Sequence, residues 1–309
     1  MSTVTYKELS SIPVLMDEYR NAVKDILPGV GTKRSAKDNP STAFEVKGVK
    51  IDVAHLAAYN SATGLRLSNE LPLTYPYVLS FPIVMKVMTA KDFPLTAVGL
   101  VHLNNTIEQT RPLTVDNELD IAVHAENLRP HTKGVLIDFV TKVSVAGEVV
   151  WTQTSAFLAK GAKLSSSSPH KDAEPTDARL LDKAAKPEVT PTATYRVTPE
   201  DIKIYADASG DKNPIHVSNL GAKAFGFPAT IAHGMWSAAA MLRGLEGQIP
   251  QAARFQVDFA KPVVLPGSVA LFANNSEGTA AEGNANWDLQ LRKASKLDIL
   301  HATGRIEAV

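Results

Sequence analysis

Within eight residues the chain sets a glycine, a carboxylate, an amide, a proline and an imidazole: Ser209-Gly210-Asp211-Lys212-Asn213-Pro214-Ile215-His216. Shortly afterwards Ala232-His233-Gly234-Met235 opens a run of small apolar residues. Pro214 stands between Asp211 and His216, so their spacing is not that of one helical face. The expected geometry is a bent loop following a helix capped by Gly210. Such a loop turns both side chains into one cleft, and Asn213 can fix the bend by bonding the backbone. A carboxylate beside an imidazole holds one water and moves two protons. A helix starting at Gly234 offers backbone N–H groups to a developing oxyanion, and a residue without a side chain lets a ligand reach them. Together these groups suit the addition of water to a conjugated acyl thioester, or its removal. Taken alone, Asp-Lys-Asn-Pro is an ordinary turn and Gly234 a packing glycine; their succession at short spacing carries the chemical reading. His233 is expected to cap the following helix, and stands with Asn213 as a candidate substrate contact. His102, His124 and His301 receive no role.

The elements that must position these groups can be read in order. Thr198-Pro199-Glu200-Asp201 has the form of a helix start, with a capping threonine, a first-turn proline and acids at the positive end. Ile202, Tyr205 and Ala206 form one face of that helix, and Gly210 closes it. A short helix is expected over Ser218–Phe225 and a longer apolar one over His233–Leu245. Strands are expected at Arg254–Phe259, Ser268–Asn274, Asn286–Arg292 and Asp298–Ile306. The earlier part of the chain repeats this plan. A strand at Phe44–Lys50 and a helix at Asp52–Thr63, closed by Gly64, precede a long apolar segment over Leu71–Lys91. Strands follow at Ala97–Glu108, Glu118–Asn127, Val135–Val145 and Val149–Leu158, with turns at Arg129-Pro130 and Ala146-Gly147. Tyr59 and Gly64 match Tyr205 and Gly210 at a constant offset of 146 residues (205 − 59 and 210 − 64), which indicates duplication.

Each unit is an antiparallel sheet needing an apolar helix as cover. The expected fold is α+β: a double hot-dog, two repeats of an antiparallel sheet wrapped around a central helix. The boundaries are an N-terminal extension (1–40, with a helix over Asp17–Ile26 stopped by Pro28-Gly29), a degenerate first half (41–160), a Ser- and Lys-rich linker (161–191) and a catalytic second half (192–309). Pro82 is expected to kink or shorten the first central helix.

Composition limits the remaining choices. The 309 residues carry 32 Lys+Arg and 32 Asp+Glu, so there is no basic excess for nucleic acid. With 0 cysteines, thiolate metal sites, disulfides and cysteine nucleophiles are excluded. No apolar run reaches the ~20 residues of a membrane span, and the N-terminus has no apolar core of signal length; a cytoplasmic location is expected. Neither a phosphate-binding P-loop nor a His-Glu-x-x-His pattern occurs, so no metal or redox cofactor is expected.

The stretch Tyr205-Ala206-Asp207-Ala208-Ser209-Gly210-Asp211-Lys212-Asn213-Pro214-Ile215-His216, with Phe225-Gly226 and Ile231-Ala232-His233-Gly234-Met235, closely resembles the MaoC-like (R)-specific enoyl-thioester hydratases. Phe259-Ala260-Lys261-Pro262-Val263 and Pro266-Gly267 resemble that family's later strand and turn. The resemblance implies that Asp211 and His216 bind and activate water, that Gly234 donates its N–H to the thioester oxygen, and that the substrate is carried by coenzyme A or acyl carrier protein. The first half departs from the motif: Leu65-Arg66-Leu67-Ser68-Asn69-Glu70 replaces the loop and Thr74-Tyr75-Pro76-Tyr77 the His-Gly segment. In two-copy relatives such a half accommodates the acyl chain, which by analogy makes Tyr77, Leu79, Phe81 and Met85 tunnel candidates, with core packing as the alternative. Arg254, Lys261 and Arg292 are candidate phosphate contacts or solvated strand residues. A hot-dog thioesterase and a non-catalytic acyl-binding protein are the rival functions, and the expected assembly is a monomer with an internal pseudo-dimer, or a homodimer.

Overall fold

The computed structural model describes residues 4–25, 32, 34–277 and 285–309. The earlier elements are β1 (Lys7–Leu9), α1 (Leu15–Lys24), β2 (Phe44–Lys50), α2 (Val53–Thr63), α3 (Tyr75–Thr89), β3 (Leu100–Gln109), β4 (Glu118–His131), β5 (Gly134–Val145) and β6 (Glu148–Lys160). After the linker come β7 (Ala193–Val197), α4 (Pro199–Ser209), α5 (Pro214–Val217), α6 (Asn219–Ala224), α7 (Gly234–Met241), β8 (Ala253–Phe259), β9 (Gly267–Glu277), β10 (Asn286–Lys293) and β11 (Leu300–Ala308). These elements form two compact units. Unit 1 holds Met1–Lys50, Pro76–Asn105 and Asn117–Ala178; unit 2 holds Ile51–Tyr75, Thr106–Asp116 and Arg179–Val309.

In unit 1 the strands run in the order β1-β2-β4-β5-β6, antiparallel except for the parallel β1–β2 pair. In unit 2 the order is β8-β11-β10-β9-β7, antiparallel throughout. The duplication is visible in this order, since β2-β4-β5-β6 and β7-β9-β10-β11 have the same connectivity. α3 is apolar on nearly every side and largely buried, with Ile83, Val87 and Met88 essentially inaccessible. It runs through Pro82. The expected shortening there does not occur: one lost backbone hydrogen bond is outweighed by burial of a whole helix surface. The expected stop at Pro28-Gly29 lies outside the described residues. β4 also passes the expected turn at Arg129-Pro130, and accommodates it by a register shift between Glu126 and Arg129.

Unit 2 positions the chemistry. α2, although it comes from the earlier repeat, packs here against α4. The repeat-equivalent rings of Tyr59 and Tyr205 lie 6.1 Å apart at this contact, and both tyrosines are essentially inaccessible. Trp236, fully buried on α7, donates its indole N–H to the Ala62 carbonyl at 3.1 Å, so no polar atom is lost with its large apolar area. α7 is shorter than the expected helix and packs on β10 and β11, burying every residue from Met235 to Met241. The linker also docks. The Leu180 and Leu181 N–H groups bond the Asp258 carboxylate at 3.1 and 2.8 Å.

Candidate active site

α4 begins with a reciprocal cap. Thr198 Oγ1 accepts the Asp201 N–H at 3.2 Å, and Asp201 Oδ2 accepts the Thr198 N–H at 2.8 Å. Such a cap contributes ~1 kcal/mol. The helix ends in Gly210 at φ 72°, the left-handed conformation that glycine adopts without strain. The chain then folds on itself through short bonds. The Asp211 N–H donates to Ser209 Oγ at 3.2 Å, and Asp211 Oδ1 accepts the Asn213 N–H at 3.2 Å. Asn213 Oδ1 accepts the Ile215 N–H at 3.3 Å. Asn213 therefore fixes the bend as its type suggested. Pro214, however, does not sit in an open loop: it is the first residue of the one-turn helix α5, the position where its missing N–H costs nothing.

α5 presents His216, which is 9% exposed. Its Nδ1–H donates to the Ile231 carbonyl at 2.7 Å. A carbonyl only accepts, so the neutral ring carries its proton on Nδ1 and keeps a lone pair on Nε2. Burial lowers the His216 pKa, against the opposing charge of Asp211. The ring stacks on that of His233, centroid to centroid 3.6 Å and 26° from parallel. His233 stands at the N-cap of α7, as expected, but its side chain makes no capping bond. Its Nε2–H instead donates to the Asp211 backbone carbonyl at 2.8 Å, with Asp211 Oδ2 at 3.8 Å from the same nitrogen. Burial, with the neighbouring His216 second, pushes His233 down to about 3. It is thus a neutral buttress that fixes both the Asp211 main chain and the His216 ring.

One donor atom from each of Asp211, His216 and His233 lies within 4.8 Å of the others. A water between two groups at that separation reaches both at ordinary hydrogen-bond length. The same residue types could ligate a divalent ion. The nitrogens left after the two backbone bonds are His216 Nε2 and His233 Nδ1, on rings stacked face to face. Their in-plane lone pairs do not converge on one point, so the set suits water and proton transfer better than an ion. At the start of α7, the first N–H groups have no acceptor within the helix. A Cβ at Gly234 would lie 3.3 Å from the Phe259 ring, so the glycine lets that ring pack close to these N–H groups.

Asp211, Asn213, His216, His233 and Gly234 all fall in unit 2. Tyr77 and Phe81 fall in unit 1, where their rings stack at 5.3 Å and both are buried. His102 stacks on Phe157 at 4.5 Å in the same unit. Arg292 is no phosphate contact. It is buried, and its guanidinium donates to the carbonyls of Leu297, Ala184 and Ala185, tying down the linker. Arg254 is paired with Glu108 at 2.6 Å, and Lys261 is exposed.

Three contributors were not assigned from the residue pattern. His55, on α2, bonds Tyr75 Oη at 2.8 Å and, through Nε2, the Ala208 carbonyl at 2.7 Å, just before the loop. Gly221, on α6, lies where a Cβ would meet Pro214 Cβ at 2.6 Å and Pro214 O at 2.8 Å. Ile231 supplies the carbonyl that orients His216. Only Gly221 left a trace in the sequence, as a glycine inside a helix, where it is unfavourable unless a close approach requires it.

Comparison with known proteins identifies the family. Residues 182–286 match the MaoC like domain. The chain is 43% identical over 258 residues to 3-hydroxyacyl-thioester dehydratase X of Mycobacterium tuberculosis, covering 83% of this chain and 86% of that protein. A crystal structure of HtdX from the same organism superposes with a TM-score of 0.72 at 39% identity, over 86% of this chain and 100% of the other. A MaoC-like dehydratase from Phytophthora capsici shares the fold, with a TM-score of 0.67 at 17% identity over 88% and 96% of the two chains. The chain belongs to the MaoC-like dehydratase family.

Proposed function

We propose that this protein is a hydro-lyase that interconverts (R)-3-hydroxyacyl thioesters and trans-2-enoyl thioesters, with one site per chain. The observation that carries the reading is His216: neutral, held in one tautomer by Ile231, and grouped with the Asp211 carboxylate beneath the start of α7. In hydration, Asp211 and His216 take a proton from water as its oxygen bonds to the β-carbon, and a proton is delivered to the α-carbon. The thioester oxygen gains enolate charge and accepts from the Gly234 N–H. Dehydration is the reverse, and no atom is gained or lost beyond water.

The proposal takes coenzyme A or an acyl carrier protein as the carrier and a monomer or homodimer as the active species. It places the protein in the cytoplasm, with which a chain of 0 cysteines is compatible. Among the described residues no helix is long and apolar enough to cross a membrane. The test is hydration of crotonyl-CoA and longer enoyl-CoA substrates, followed by loss of enoyl absorbance. Asp211→Asn and His216→Ala are expected to lower kcat by ~10²–10⁴-fold. Wild-type turnover in both variants would remove the pair from the mechanism, and release of free thiol in place of hydration would replace a lyase with a thioesterase.

A further inference from the structure

His216 also lines a cavity. This cavity, of about 230 Å³, is lined by Pro199, Glu200, Lys203, His216, Val217, Asn219 and Thr230. Its lining includes neither Asp211 nor Gly234. Its lining is graded. Glu200, Lys203 and Val217 are exposed, whereas His216 and Thr230 are buried. Thr230 is 4% exposed and its Oγ1 has no hydrogen-bond partner in the protein, although its N–H is held by Asn219 Oδ1 at 2.9 Å. A buried hydroxyl without a partner costs ~1–3 kcal/mol unless water satisfies it. The volume exceeds several times the ~30 Å³ that one water occupies in the liquid, and the polar lining supplies the partners a water needs.

We infer that this cavity is the path by which the water of the reaction enters and leaves, with Thr230 as the polar step between solvent and His216. The inference rests on the hydro-lyase reading above. A bound acyl thioester blocks the side from which it entered, yet each turnover must deliver or discard one water at a buried imidazole. The opening past Val217 and Thr230 supplies that route without moving the thioester. The cavity is small beside a pantetheine arm and an acyl chain, which further suits it to water.

The route can be tested by isotope exchange. A 3-hydroxyacyl-CoA carrying heavy oxygen at its hydroxyl is incubated with enzyme in ordinary water. Loss of heavy oxygen from the recovered hydroxyacyl-CoA is compared with release of enoyl-CoA. Where water escapes freely, the re-formed hydroxyl carries solvent oxygen; where it is trapped, the same oxygen adds back. Val217→Trp, which places a bulky ring at the mouth, is expected to lower the ratio of oxygen exchange to enoyl release by about five-fold, with KM for the thioester unchanged. Thr230→Val keeps the shape and removes the hydroxyl; it is expected to lower the ratio by about two-fold, and serves should the tryptophan variant fail to fold. An unchanged ratio in either folded variant overturns the inference, as does a raised KM with the ratio intact, which would make the cavity the entrance of the thioester. A wild-type enzyme that forms no enoyl thioester at all overturns the hydro-lyase reading, and the inference with it.

Discussion

Gly221 never approaches the substrate in the proposed mechanism, yet Gly221→Ala should be among the most damaging small changes in the chain. A methyl group there would lie 2.6 Å from Pro214 Cβ, 2.8 Å from Pro214 O and 3.0 Å from Pro214 C. Ordinary contact begins at about 3.4 Å, so Pro214 and α6 must separate by about 0.8 Å (3.4 − 2.6). Pro214 opens α5, and His216 is two residues further on. The Ile231 N–H to Ile215 O bond of 3.1 Å and the His216 Nδ1–H to Ile231 O bond of 2.7 Å resist that motion. Overpacking of this kind costs ~1–3 kcal/mol of stability. A misplacement approaching 1 Å at a catalytic group costs up to ~10²-fold in rate. The expected outcome is a folded protein with a modestly lowered melting temperature and kcat reduced ~10–100-fold. Steady-state hydration kinetics beside a thermal melt would measure both. If kcat stays at the wild-type value while stability falls, α6 has absorbed the methyl by moving outwards, and the argument that α6 buttresses the catalytic turn is wrong.

Three further outcomes follow from the geometry. Gly234→Pro deletes one N–H at the first position of α7, where His233 at φ −64° and ψ 144° already has the backbone a following proline requires; kcat should fall ~10²–10³-fold, with a modest loss of thermal stability from the close approach to Phe259, as kinetics and a melt on one preparation would check. Burial depresses His216 and His233 below the ordinary histidine value of 6.5, the latter to about 3, so the folded protein binds fewer protons than the unfolded chain. Stability should therefore be full above pH ~6.5 and be lost as pH falls below it, at up to ~1.4 kcal/mol per pH unit for each group; urea midpoints measured from pH 7 to 5 would show it, and His233→Gln should flatten the slope. His55→Leu should leave the Ala208 carbonyl and the Tyr75 hydroxyl without their partner and cost ~1–3 kcal/mol, read from urea unfolding, with a fall in kcat larger than any rise in KM because the affected carbonyl immediately precedes the catalytic turn.

The repeat was legible because duplication preserves what a backbone needs locally. Gly64 and Gly210 both adopt the left-handed cap, at φ 70° and 72°, and a glycine at each helix end is visible without a structure. The choice of partner was not legible. Periodicity shows that α2 has an apolar face but not that α4 covers it, so His55, 153 residues from the carbonyl it bonds, could not be found from spacing. The state of His233 was hidden for a similar reason. Nothing in Ala-His-Gly-Met announces an imidazole stripped of water by burial against His216. At Pro82 the expected shortening does not occur, because the packing of a largely buried helix carries α3 through the proline. The asymmetry between the halves is written in single atoms. At the turn that follows each glycine cap, the first half has Leu65 where the second has Asp211, and Glu70 where the second has His216. At the helix start it has Pro76 where the second has Gly234. Proline has no N–H to give an oxyanion, so the first half lacks this donor as well as the Asp/His pair.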